Sequence, residues 1–187
     1  MLPSLSGAKL EVLVPAGSEP ANVSARRNAL VGLKKIDSIR VSSSGKGGKT
    51  RYAVEVVVDS PPASTCPGLS TTATGPVVRT ERELSDFKDV ANELHHIVES
   101  AHSGQRCELC SAILNWFVFG ENPDGVMLMF VSNERVARKL TTFLEDLLAT
   151  TTKHASDDIQ GCCSSQTLIP LAVHMFLSNP PATCDAA

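Results

Sequence analysis

Aromatic residues are scarce in this chain: one Trp, one Tyr and six Phe, 4% of 187 residues. Any core must therefore be filled mainly by Val, Leu, Ile and Ala. Positive charge is short as well. The formal net charge of −3 excludes the broad basic footprint of a bulk nucleic-acid binder, leaving room only for a small basic pocket. No apolar run approaches the roughly 20 residues of a membrane-spanning helix. The opening "MLPSLSGAKLEVLVP" has no basic stretch followed by a long apolar one, so no signal peptide is expected. Without secretion, Asn22 of "NVS" is a chance sequon and the six cysteines are expected as reduced thiols. There is no phosphate loop, no nucleophile elbow and no His-Glu metal-helix signature, so the chain reads as a non-enzyme.

What is present suffices for one ordinary domain: 42% hydrophobic residues, 20% charged, no internal repeat. Residues 1–35 read as an N-terminal arm or linker, with a short strand over 9–14 and a weak helix over 25–33. Order begins near Ile36. "SIRVSS" alternates, with Ile39 and Val41 on one face. "RYAVEVVVD" is the strongest strand signal, with Tyr52, Val54, Val56 and Val58 together at period two. The glycine-rich "SGKGGKT" between them makes the pair a hairpin. The proline-, Ser- and Thr-rich stretch over 59–76 is a loop. "VVRTEREL" is a third strand, with Val78, Thr80, Arg82 and Leu84 on one face.

Four helices are expected after the strands. Ser85 is the expected N-cap of the first, whose stripe is Phe87, Val90, Ala91, Leu94, Ile97, Val98 and Ala101. The second spans about 107–119, with Cys110, Ile113, Leu114 and Phe117 inward and Trp116 at a helix–helix contact, and "GENPDG" breaks it. The third starts near Asn133 and turns Val136, Leu140, Phe143, Leu144 and Leu147 inward. The last, about 167–177, presents Leu168, Leu171, Ala172 and Met175. Strands followed by helices mean an α+β fold: a three-stranded antiparallel sheet against about four helices.

The order and wording of "SIRV…RYAVEVVV…VVRTERELSDFKDVANEL…ERVARKLTTFLEDLL" resemble a phox-homology (PX) domain. That family's hallmark is an Arg-Arg-Tyr-Ser-Asp-Phe-like hexamer where the third strand joins the first helix, read here as "RELSDF", Arg82 to Phe87. Its late Leu-x-x-aromatic-Leu-x-x-Leu-Leu helix matches "LTTFLEDLL", Leu140 to Leu148. The resemblance implies a PX-like domain over 36–150 with a C-terminal helical extension over 151–187. It also implies phosphoinositide binding on cytosolic membrane faces, endosomal ones among them, in trafficking or signalling. Arg82 stands at the hexamer's first arginine and Leu84 at its aromatic. Glu83 replaces the arginine that grips the 3-phosphate, and a carboxylate there repels phosphate by about 1–4 kcal/mol at roughly 4 Å. The proline-rich membrane-contacting loop has no counterpart, although Arg106 lies where it would supply charge, and Arg135 and Arg138 flank the position of the late basic residue. The expected lipid site is thus Arg82, Leu84, Arg106, Arg135 and Arg138, with weak binding; the alternative for Arg82 is a solvated strand-end residue paired with Glu81 or Glu83. The lysines of "SGKGGKT" and "LKK" add surface charge that would favour anionic lipid.

A different chemistry sits in "CELC". Cys107 and Cys110 have the ligand spacing of a zinc knuckle, and a tetrahedral site needs two further donors. "GCC" supplies Cys162 and Cys163; His95, His96 and His102 lie just upstream. The second reading of the chain is accordingly a degenerate PX-fold scaffold that binds an unidentified protein partner, carries a structural zinc at Cys107, Cys110, Cys162 and Cys163, and binds little lipid. Against the zinc, Cys110 lies in an apolar stripe, where a free cysteine is a small buried hydrophobe.

Overall fold

The computed structural model describes residues 21–44, 50–59, 75–120, 131–156 and 163–178. The strand expected over 9–14, the interior of the loop over 59–76, most of "GENPDG", the lysines of "SGKGGKT" and Cys162 lie outside them.

The element order is α1 (Ala21–Lys34), β1 (Ile36–Ser43), β2 (Arg51–Val58), β3 (Val77–Glu83), α2 (Leu84–Ser100), α3 (Glu108–Phe119), α4 (Asn133–His154) and α5 (Ser165–Ser178). The strands form one antiparallel sheet in the order β1-β2-β3. Val41 faces Val54 across the first ladder, and Val54 faces Thr80 across the second. Period-two alternation therefore puts Ile39, Val41, Tyr52, Val54, Val56, Thr80 and Arg82 on the buried face. The fold is α+β, as the sequence pattern requires.

α4 lies along the outer side of β1. Its Thr141 hydroxyl accepts the Val41 backbone N–H at 3.0 Å, satisfying a ladder donor that β2 does not use. Its inner stripe is the expected one, extended by Ala137 and Thr151. α2 buries Phe87, Val90, Ala91, Leu94 and Val98. Phe87 is the aromatic hub, 6.3 Å from Tyr52, 6.4 Å from Phe143 and 5.3 Å from Phe176 between ring centroids. Trp116 packs at 4.9 Å on Phe143, joining α3 to α4.

Four expectations need correcting. Residues 21–34 are not a loose arm: α1 packs on α5 and buries Arg26, Ala29, Leu30 and Leu33. A boundary at 150 falls inside α4, and α5 belongs to the same core through Ile169, Val173 and Leu177. α5 turns inward Ile169, Pro170, Val173 and Leu177, leaving Leu168 and Met175 at 44% and 58% exposure. The helix is apolar nearly all round, so its own pattern does not choose a face; packing against α1 and α2 does. Finally, the cap of α2 is Glu83, two residues before Ser85. Its backbone N–H donates to Asp86 Oδ2 at 2.8 Å in a capping box, and Ser85 is exposed.

Candidate metal centre

α2 ends at Ser100, and the chain turns through "AHSGQR" into α3. His102 lies in that turn. Cys107 is the N-cap of α3, in extended backbone (φ −74°, ψ 168°). Cys110, in the first turn of α3, points inward and is fully buried. From the other end of the domain, Cys163 arrives just ahead of α5. The four donor atoms of His102, Cys107, Cys110 and Cys163 all lie within 4.8 Å of one another.

These distances can be tested against an ion. A tetrahedral zinc with Zn–S bonds of about 2.3 Å has S···S edges of about 3.8 Å. The Cys163 sulfur lies 3.5 Å from that of Cys107 and 3.8 Å from that of Cys110. Three soft thiolates and one imidazole are a zinc-type donor set. The residues therefore fit a closed, four-ligand site and could hold a metal.

The surroundings favour thiolate at one corner. Burial opposes ionisation of Cys107, but the Cys110 backbone N–H, His102 and the neighbouring thiols hydrogen-bond its sulfur and outweigh it, bringing its pKa from 9.0 to about 7. Burial dominates at Cys110 and, with its charged neighbour Cys107, pushes that thiol up to about 12 despite a hydrogen bond from Ser165. A bound cation would reverse this, because coordination deprotonates a thiol outright.

An outer layer of polar groups holds the donors. Gln166 Nε2 points at Cys107 Sγ from 3.9 Å and at the His154 carbonyl from 3.5 Å. Its Oε1 accepts the Ser156 N–H at 2.9 Å. Arg26, 2% exposed, donates Nε to the Gln166 carbonyl at 2.6 Å and its second arm to the Ser156 carbonyl. The Ser165 hydroxyl reaches the Ile97 carbonyl at 3.2 Å. A zinc ion with three thiolates and a neutral imidazole carries one net negative charge. With such an ion bound, the buried Arg26 guanidinium, one residue removed through Gln166, would supply a compensating positive charge.

Among the described residues, the cluster holds three of the four expected donors. Cys107, Cys110 and Cys163 come together, and the fourth donor is His102, while Cys162 lies outside the described residues. The signal was present as His102-x4-Cys107-x2-Cys110. His95 and His96 sit within α2 and are absent from the cluster; His95 instead pairs with Glu99 at 3.5 Å and packs on Phe117.

The expected lipid residues are not brought to one place. Arg82 is 7% exposed. It donates Nη2 to the Phe176 carbonyl at 2.7 Å, and its guanidinium carbon lies 4.7 Å from the Phe176 ring centroid. It is therefore neither a solvated strand-end residue nor turned to the outer face. Glu81 and Glu83 pair with Arg51, each at 3.8 Å. Leu84 is half-buried against the core, and Arg106, Arg135 and Arg138 are exposed. Glu108 Oε1 meets His154 Nδ1 at 2.9 Å, so the start of α3 lies at the end of α4. At 1.5 Å per residue, Arg138 is about 24 Å along α4 from His154, and Arg106 is thus far from both α4 arginines.

Beside the cluster, α3 and α4 border a groove of about 660 Å³ lined by Glu108, Ala112, Trp116, Phe119, Asp146 and Lys153 among others. Val118 and Phe119 stand at 72% and 84% exposure at the end of α3. Compared with protein-family models, curated proteins and solved structures, the chain has no match in any of the three.

Proposed function

We propose that this chain is a zinc-stapled protein-interaction module rather than a phosphoinositide receptor or an enzyme. The observation that carries the reading is the four-donor cluster of His102, Cys107, Cys110 and Cys163. Four protein ligands fill a tetrahedral ion, leaving no open position for water or substrate, which is the pattern of a structural rather than a catalytic site. Zinc there would join the α2–α3 turn to the start of α5, so part of its binding energy becomes folding energy. The exposed Val118 and Phe119 beside the α3–α4 groove supply apolar surface for a protein partner.

The PX-like reading of the sheet and of the "RELSDF" junction stands beside this as a proposal about ancestry. Its lipid chemistry is disfavoured by the two residues that would carry it. Arg82 is committed to Phe176, and Glu83 to the helix cap.

Elemental analysis of the full chain purified without chelator tests the zinc. About one zinc per chain is expected, lost on Cys107→Ser or Cys163→Ser; under about a tenth of an equivalent ends the reading. Sedimentation with vesicles containing phosphatidylinositol 3-phosphate tests the rival. Weak binding is expected, and tight, salt-sensitive binding would restore the lipid reading.

A further inference from the structure

The three thiols of the cluster differ in their exposure to solvent. The two half-exposed thiols, Cys107 and Cys163, are in close contact, 3.5 Å apart. The third, Cys110, is fully buried under α3. Among the described thiols, an oxidant arriving from solvent therefore meets Cys107 or Cys163 first, and each finds the other as its half-exposed partner. The two lie 56 residues apart in sequence, on segments that pack together only in the folded domain.

We infer that Cys107 and Cys163 form a peroxide-oxidisable pair whose disulfide expels the zinc. The inference rests on the zinc reading above. The Cys107 thiolate attacks one peroxide oxygen, the O–O bond breaks, and the sulfur becomes a sulfenic acid while hydroxide leaves and takes up a proton. The Cys163 thiolate then attacks that sulfur. An S–S bond forms, the S–O bond breaks, and a second hydroxide leaves as water after protonation. Two thiolates lose two electrons, the peroxide is reduced to two waters, and two protons are consumed. The ion keeps only His102 and Cys110, too few to hold it, and passes to solvent; Cys110 then takes up a proton. Closing the S–S bond from 3.5 Å to about 2.05 Å is a short movement for two side chains at segment ends.

The product differs from an ordinary loss of zinc. The covalent bond replaces the ion as the tie between the α2–α3 turn and the start of α5. The His102–Cys110 side of the site is opened while α5 stays attached. A thiol reductant with zinc reverses the change, so the pair is a modification site for a hydroperoxide.

The zinc-loaded full chain is treated with hydrogen peroxide, zinc release is followed with a chromogenic chelator, and the products are alkylated and mapped by mass spectrometry without reduction. The expected result is release of about one zinc with loss of two thiols, a cross-linked peptide pair containing Cys107 and Cys163, and Cys110 recovered alkylated. The Cys162→Ser chain should give the same cross-link, assigning it to Cys163. The Cys110→Ser chain keeps the reacting pair and should still cross-link in the absence of zinc, which covers the case in which Cys163→Ser fails to fold. A zinc-loaded chain that gives no cross-link, or one between Cys107 and Cys110, overturns this inference and leaves the zinc reading standing. A chain that never holds zinc yet cross-links Cys107 to Cys163 overturns the zinc reading and leaves the oxidisable pair.

Discussion

Replacing Arg82 by Met separates the two roles open to that residue. Met keeps most of the hydrocarbon bulk and removes the guanidinium. The lost interactions are a charge-assisted hydrogen bond to the Phe176 carbonyl at 2.7 Å and a cation–π contact at 4.7 Å. Typical values are about 1.5–3 kcal/mol for the first and about 0.5–2 kcal/mol for the second. Part of this is returned, because burial disfavours the charged guanidinium, although Asp86 partly offsets that penalty. The net cost is placed at about 1–3 kcal/mol, or roughly 2–12 °C in melting temperature for a domain of this size. The assay is thermal unfolding followed by circular dichroism, with the vesicle sedimentation assay run in parallel. A double-mutant cycle with Phe176→Leu should return a coupling of about 0.5–2 kcal/mol between the two side chains. An Arg82→Met chain that melts like wild type but has lost vesicle binding would refute the reasoning, because the guanidinium would then be serving a headgroup and not α5.

Further outcomes follow from the same geometry. Glu83→Arg should not create a lipid site; it removes the capping box, sets a cation at the start of α2 and faces Arg51, so unfolding measurements should show a loss of about 1–2 kcal/mol. Gly120→Ala should destabilise by about 1–3 kcal/mol, since a methyl there would meet the Trp116 carbonyl at 2.5 Å, whereas Gly32→Ala meets the movable ring of His174 at 2.7 Å and should be close to neutral by denaturant titration. In metal-free protein, Cys107 should alkylate with a midpoint near its pKa of about 7 while buried Cys110 reacts last, and zinc should protect both, as peptide mass mapping would show. The folded pKa of Cys107 is depressed below its ordinary 9.0, so its contribution to the metal-free fold is complete above pH 9 and is lost as the pH falls toward about 7.

The sheet and α4 were legible because their patterns are one-sided. Val54 and Val56 flank the more exposed Glu55, and Leu140, Phe143, Leu144 and Leu147 stand among exposed Lys139 and Glu145. α5 was not legible because Leu168, Ile169, Leu171, Val173, Met175 and Leu177 leave no polar side from which to read an orientation. α1 was legible only as a weak helix over 25–33, and its packing was hidden: the residue it buries most conspicuously is an arginine, whose partners are backbone carbonyls near 156 and 166 that no local pattern encodes. Half of the metal centre was visible in the spacing of Cys107 and Cys110. The other half depended on tertiary placement, which delivers Cys163 from 53 residues beyond Cys110 and selects His102 from among three nearby histidines.

The packing of α1 on α5 has a consequence during synthesis. Arg26 meets Gln166 and Gly32 meets His174, so the two helices run in the same direction, with partners 140 residues apart at the Arg26 end. α1 leaves the ribosome before α5, the helix that seats it. At translation rates of about 5–20 residues per second, that separation corresponds to roughly 7–28 s. Throughout that interval the stripe of Ala29, Leu30 and Leu33 has no α5 to cover it. The nascent chain thus presents a short apolar surface for a holding chaperone, and the same surface closes only when the segment carrying Cys163 has also arrived.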